Sequence, residues 1–468
     1  MRAAFASLIL FASLGFANDG DPPALPIGLG PETPSNSKPQ SDAPSLPTGL
    51  GTIGEPSKTS DTSQSRNETS SSNIRLTGFL EARYGIRLQS DNFGETETLS
   101  ELRLQTRLAG NQGPLNYRLT QDWILDGLAP TSSVDLNTGE GWIDLREAWV
   151  SGQPTSFLDI KAGRQITTWG TGDLLFISDL FPKDWRALIL GRDEEYLKAP
   201  NDAIKASLYH PWINLDIVHT PEFDADRFIT GERLSYFDPS LDSLTGDPNL
   251  ILADYPHDSE WAARANRIFG NAEVALYYYR GYWKQPVGYD LSAEQPIFPR
   301  LETLSASWRK PLAGGLFNIE VGSYDSIDDP YGDLSNIRNS ENRFLIGFER
   351  EIAKNLNGSI QYYVEQTSDY QASLSTAPLN GPISNRRRHV FTTRITQQLR
   401  MQTLQLSLFA FYSPSDEDGY LRPNIRYAID DQWSASLGGN IFFGKTNRTF
   451  FGQLKNNTNA YFSVRRSY

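Results

Sequence analysis

Arginine recurs on a single parity along the first regular stretches of the chain: Arg75, Arg83 and Arg87, then Arg103 and Arg107, then Arg118. Arg394, Arg422 and Arg426 repeat the habit near the C-terminus, with Arg465 beyond them, and Arg146 extends the first group less regularly. A separate segment, 166–202, gathers Asp173, Asp179, Asp184, Asp193, Glu194 and Glu195. A guanidinium stays charged at any physiological pH and a carboxylate is a pure acceptor. Rows of the two facing each other across a wet gap set a transverse field that orients polar solutes and breaks no bonds. The alternative is plainer: Glu81, Glu101 and Asp144 lie close enough to pair with those arginines and simply satisfy the wall.

Bond-making chemistry has little to stand on. The four histidines, His210, His219, His257 and His389, form no metal spacing, and no Cys is present for haem or iron–sulfur ligation. There is no GxSxG elbow and no Walker loop, so the reading is non-enzymatic, without cofactor or metal. Asp135–Glu140 (DLNTGE) lacks the spacing of a calcium loop. A formal charge of -13 excludes nucleic acid as a partner.

The elements that must carry the charged rows are strands. In 74–88 the even positions are Ile74, Leu76, Gly78, Leu80, Ala82, Tyr84, Ile86 and Leu88, and the odd ones include Arg75, Glu81, Arg83 and Arg87. That alternation outruns the usual soluble strand of about 5–6 residues. Leu102, Leu104 and Leu108 repeat it against Arg103 and Arg107; Leu404, Leu406 and Leu408 do so late in the chain. Similar runs give about eighteen strands of roughly ten residues, the length a tilted strand needs to cross a bilayer. Aromatic content of 12% with a mean hydropathy of -0.45 fits strands apolar on one face only.

Connections alternate in length. Tight turns are expected at 110–114, 210–212, 269–271, 311–315 and 429–432, and long polar loops at 89–99, 126–141, 166–202, 221–259, 281–300, 325–340 and 367–387. Membrane barrels have short turns on one side and long loops on the other. Trp123, Trp142, Trp261, Trp308, Trp433 and Tyr277–Tyr279 fall near strand ends, as girdle aromatics do. The acidic stretches 325–333 and 416–418 suit divalent ions bridging lipopolysaccharide, or plain solvation.

The N-terminus reads as a leader: Arg2, an apolar run over Ala3–Leu14, and a small-x-small site at Gly15–Ala17, too short to span. Residues 18–73 are rich in Pro, Ser, Gly and Thr and are expected to be a disordered periplasmic tail. It writes PxLPxGLG twice, at 23–30 and 44–51, either a docking motif for a periplasmic protein or a duplicated spacer. The folded part is expected from 74 to 468.

A final amphipathic strand of Thr458, Ala460, Phe462 and Val464 ending in Tyr468 resembles the C-terminal signal of Gram-negative outer-membrane barrels, with Arg466 where an apolar residue is usual. The whole chain is similar to porins, whose long third loop folds into the pore. The segment running from Gly163 through Trp169-Gly-Thr-Gly-Asp173 to Phe181-Pro-Lys-Asp-Trp185, and on to Pro200, also resembles a signature of poorly characterised porin-like barrels. The resemblance implies an outer-membrane channel for small polar or anionic solutes, set in lipid and lipopolysaccharide, and by family habit a homotrimer. It implies that Trp169, Phe176, Phe181 and Trp185 pack the third loop against the inner wall. Constriction inside the pore and a lid over its mouth both remain open, and so does a scaffold barrel that docks a partner through the tail.

Overall fold

The computed structural model describes residues 74–128, 133–229, 231–238, 241–246, 253–293, 295–376 and 385–468; the leader and tail expected over 1–73 lie outside them. Eighteen strands form one antiparallel sheet. They are β1 (Ile74–Arg87), β2 (Glu97–Gln112), β3 (Leu115–Asp126), β4 (Ile143–Thr155), β5 (Leu158–Gln165) and β6 (Asn201–His210). There follow β7 (Ile213–Thr220), β8 (Glu260–Phe269), β9 (Ala272–Tyr282), β10 (Arg300–Leu312), β11 (Gly315–Ser326) and β12 (Glu341–Ala353). The last six are β13 (Leu356–Thr367), β14 (Arg387–Leu399), β15 (Leu404–Ser413), β16 (Asp418–Ala428), β17 (Trp433–Gly444) and β18 (Asn459–Ser467).

Each strand pairs with the next in sequence, and β18 returns to β1 in the register Phe79↔Ser467 to Arg87↔Asn459. Closure leaves no sheet edge, which a strand in lipid could not tolerate. The C-terminal residue completes the seam: Tyr468 N donates to Gly78 O (3.0 Å) and Gly78 N to Tyr468 O (3.2 Å). Gly78 is required there, because a Cβ would lie 2.0 Å from Gln105 O and 2.6 Å from the Tyr468 hydroxyl.

Alternation decides which side chain goes where. In β1, Leu80, Tyr84 and Ile86 are exposed on the outer face while Phe79, Glu81, Arg83 and Arg87 are buried inside. Tight turns such as Gly113–Pro114 and Ala313–Gly314 close one end of the barrel (the turn side), and long loops close the other (the loop side). Two departures from the expected spacing appear on the loop side. The β15–β16 connection is only 414–417, and a loop not anticipated, 445–458, carries a 3₁₀ turn, Gly452–Asn457, and buried Phe450 and Phe451.

Of the aromatics expected in the girdle, Trp123, Trp142, Trp261 and Trp433 are exposed and Trp308 is half-buried. The expectation fails for Tyr277 and Tyr279, which face inward and are buried, because period two puts only Tyr278 of that run outside.

Candidate functional site: a lumen filled by the third external loop

Residues 166–200 join β5 to β6 as the third long connection, and they fold inward into the barrel. The segment has its own architecture. Asp184 caps α1 (Trp185–Leu190) by accepting from Ala187 N at 2.8 Å, and Gly191 ends it with φ +95°. A Cβ on Gly191 would also strike the Tyr461 ring at 2.2 Å, so close approach and left-handed backbone require the same residue. The strands flanking α1 tie together through Asp184 N to Leu197 O (2.6 Å) and Ala199 N to Pro182 O (3.1 Å).

Apolar residues of the loop form one cluster with the inner wall. Trp169 meets Phe181 edge-on (centroids 5.9 Å from Tyr277 and 4.9 Å from Phe181), and Phe176, Leu174, Leu175 and Ile177 are buried with Tyr324 and Leu345. Trp185, 2% exposed, donates from its indole to Asp226 Oδ2 at 2.7 Å and stacks edge-on with Phe450. The four aromatics expected to pack the loop are thus all buried, and Ile229 and Phe237 of the connection after β7 join Phe450 and Phe451 of 445–458 in the same cluster.

Polar contacts run around the wall. Glu320 on β11 accepts from Ser178 N (2.6 Å) and Thr171 N (2.8 Å), and Gln361 on β13 from Asp173 N (3.0 Å). Asn440 on β17 and Asn459 on β18 both donate to Ile189 O. Tyr196 donates to Asp122 on β3 at 2.8 Å, and Arg146 on β4 donates to Lys198 O at 2.7 Å. Backbone groups of a loop buried in a barrel need such partners, since water is excluded there.

The charged rows meet in contact. Arg394 grips Asp173 with two nitrogens (2.7 and 3.0 Å) and reaches Glu194 at 3.1 Å. Arg83 binds Asp193 and Gly191 O, and Arg465 binds Asp193 Oδ2 (2.6 Å), Glu81 (3.0 Å) and Glu195 (3.4 Å). Arg422 donates to Arg192 O at 2.7 Å, and Arg192 pairs with Glu101, which also meets Arg103. Burial alone would raise the Asp193 carboxyl, yet Arg83 and Arg465 outweigh it and hold the group well below the usual carboxylate range. A buried charge is tolerable only with such partners; stripped of them it costs about 3–5 kcal/mol.

Other predicted residues lie elsewhere. Asp179 pairs with Lys183 in its own loop (3.0 Å), and Asp184 serves as the helix cap near Arg227, so neither faces the arginine ladder. Arg87 holds loop-side residues Asp91 (2.9 Å) and Asn457 (2.6 Å). Arg75, Arg107, Arg118 and Arg426 line the turn side, where inward side chains are half-buried or exposed. Among the described residues, Arg75, Arg107 and Arg426 have no ion pair, while Arg118 is 3.5 Å from Glu147 and lies over Trp149 at 5.3 Å.

Sequence reasoning missed several anchors. Glu320 and Tyr196 stand out only once the loop is known to be inside, although Glu320 does lie on the inward parity of β11. Lys161 and Lys205, directly opposite on β5 and β6, add cations to the turn side and were legible from parity. Arg227, which pairs with Asp144 at 3.0 Å, comes from a polar external loop with no periodic signal.

A closed antiparallel barrel is also the fold of solved porins. The chain is similar to a BenF-like porin from Pseudomonas fluorescens, at 10% identity over 85% of this chain and 98% of that one, with a TM-score of 0.51. It is also similar to OccAB2 of Acinetobacter baumannii, at 9% identity over 85% and 98%, with a TM-score of 0.50. No family model matches the chain, and no curated protein does either.

Proposed function

We propose that this protein is a non-enzymatic outer-membrane channel for small polar solutes, with a preference for anions, in which the 166–200 loop narrows the path. The observation that carries the reading is the loop itself: it is held inside by the arginine ladder through Arg83, Arg465 and Arg394. The preference for anions rests on the turn side, where Arg75, Arg107, Arg118, Lys161, Lys205 and Arg426 line the inner wall half-buried or exposed. Glu147 (3.5 Å) and Asp216 (3.4 Å) match Arg118 and Lys205, and the remaining excess of positive charge concentrates anions. The runner-up, a sheath that docks a partner, calls for an open bore, and the filled loop side weighs against it. Lipid and lipopolysaccharide around the band, a trimeric assembly and a periplasmic tail belong to the same reading; the PxLPxGLG copies lie outside the described residues.

The test is planar-bilayer conductance of the refolded chain beside a variant lacking Thr171–Asp193. Discrete anion-selective steps that grow several-fold in the variant support the reading. A silent wild type, or steps of equal size in both proteins, overturns it.

A further inference from the structure

A cavity of about 60 Å³ lies between the inward loop and the wall. Phe176 and Phe181 of the loop, Leu301 and Tyr324 of the wall, and Trp283 and Gln285 from the segment after β9 are among its lining. Trp283 and Gln285 are each 4% exposed. Two of their polar atoms, Trp283 Nε1 and Gln285 Oε1, are buried without a hydrogen-bond partner. The Gln285 amide is oriented by its other end: Nε2 donates to Asp226 Oδ2 at 2.9 Å, and the reverse orientation would set Oε1 against that carboxylate.

The cations around this cavity are already matched. Lys183 pairs with Asp179 at 3.0 Å, Lys284 with Glu260 at 2.6 Å, and Arg343 with Glu341. Asp226 has no ion pair among the described residues and instead accepts from three neutral donors, Trp185 Nε1, Lys183 N and Gln285 Nε2. What the cavity leaves unmet is therefore one neutral donor and one neutral acceptor. An anion would be desolvated with no free cation, and a cation has no acceptor to offer Trp283 Nε1 and would leave that donor unpaired. An apolar ligand would leave both groups unpaired.

We propose that this cavity binds a small uncharged solute carrying a carbonyl beside an N–H, a carboxamide or a urea. Its oxygen accepts from Trp283 Nε1 and its nitrogen donates to Gln285 Oε1. The volume exceeds the roughly 10–15 Å³ that one water occupies on this measure, so the site holds more than a single bridging water. The site does not depend on conduction: it exists whether or not solute passes beyond it.

The test is indole N–H NMR of the ¹⁵N-tryptophan-labelled full chain refolded in deuterated detergent, titrated with acetamide. The Trp283 resonance is the one absent from Trp283→Phe. A saturable shift of that resonance alone, with affinity about tenfold lower in Gln285→Leu, supports the site; a tenfold loss matches one hydrogen bond of about 1.4 kcal/mol. On wild type, acetate, which accepts but cannot donate, binds at least tenfold more weakly than acetamide. No shift, a linear unsaturable shift shared by the other indoles, or equal binding of acetate overturns the proposal.

Discussion

The two halves of the barrel interior are built from the same alternating strands and end up with opposite characters. On the loop side, guanidiniums and carboxylates sit within hydrogen-bonding distance, as in Arg394 with Asp173 and Arg103 with Asp122, and aromatic rings fill the space between. On the turn side, Arg107, Arg426 and the facing Lys161 and Lys205 stand half-buried. One segment makes the difference. Where the 166–200 loop lies, wall charges are spent on holding protein; where it is absent, they face whatever fills the lumen.

Removing the cations that hold Asp193 should break this contrast most. Arg83→Met with Arg465→Met leaves the half-buried carboxylate beside only the more distant Arg426, at a cost of about 1.5–3 kcal/mol to loop docking. Amide exchange over Leu188–Glu195 should then accelerate by more than about tenfold while the barrel stays folded; unchanged exchange would show that the ion pairs do not hold the loop. Asp173→Asn is milder, since Arg394 keeps Glu194. A loss of about 1–2 kcal/mol, read as faster exchange over Thr171–Ile177, is the expected result.

Turn-side substitutions should leave stability within about 0.5 kcal/mol, as for other sites away from packed contacts. Arg75→Gln with Arg107→Gln should instead move the reversal potential in a potassium chloride gradient toward cation selectivity. A shift in unfolding midpoint with no change in selectivity would mean those residues are structural.

The smallest effect is a pH dependence outside the membrane span. Burial pushes the Asp224 carboxyl up to about 6, with Lys284 pulling the other way. The folded state therefore holds this proton more tightly than the unfolded one. Its contribution to stability is full below the ordinary carboxylate range, falls as pH rises to about 6, and is level above. Thermal unfolding from pH 4 to 7 should show a decline in wild type relative to Asp224→Asn; parallel curves would remove Asp224 from the account.

Period-two alternation is a local property, so the strands, the face taken by Arg83, Arg103 and Arg394, the tight turns and the rank of the 166–202 segment as third long loop were all readable along the chain. The ladder's partners were not. Asp193 meets Arg83 and Arg465 across separations of 110 and 272 residues, which no periodicity encodes. Asp184 is acidic like Asp193, yet it caps a six-residue helix, because its place one residue before that helix decides its role. The 445–458 loop escaped notice because its buried Phe450 and Phe451 alternate with nothing. By itself the sequence determined which face of which strand each side chain occupies, since that follows from the pleat alone. Only the tertiary structure decided which of those inward charges are paired and which stay half-open, because pairing depends on how far the third loop reaches into a closed barrel.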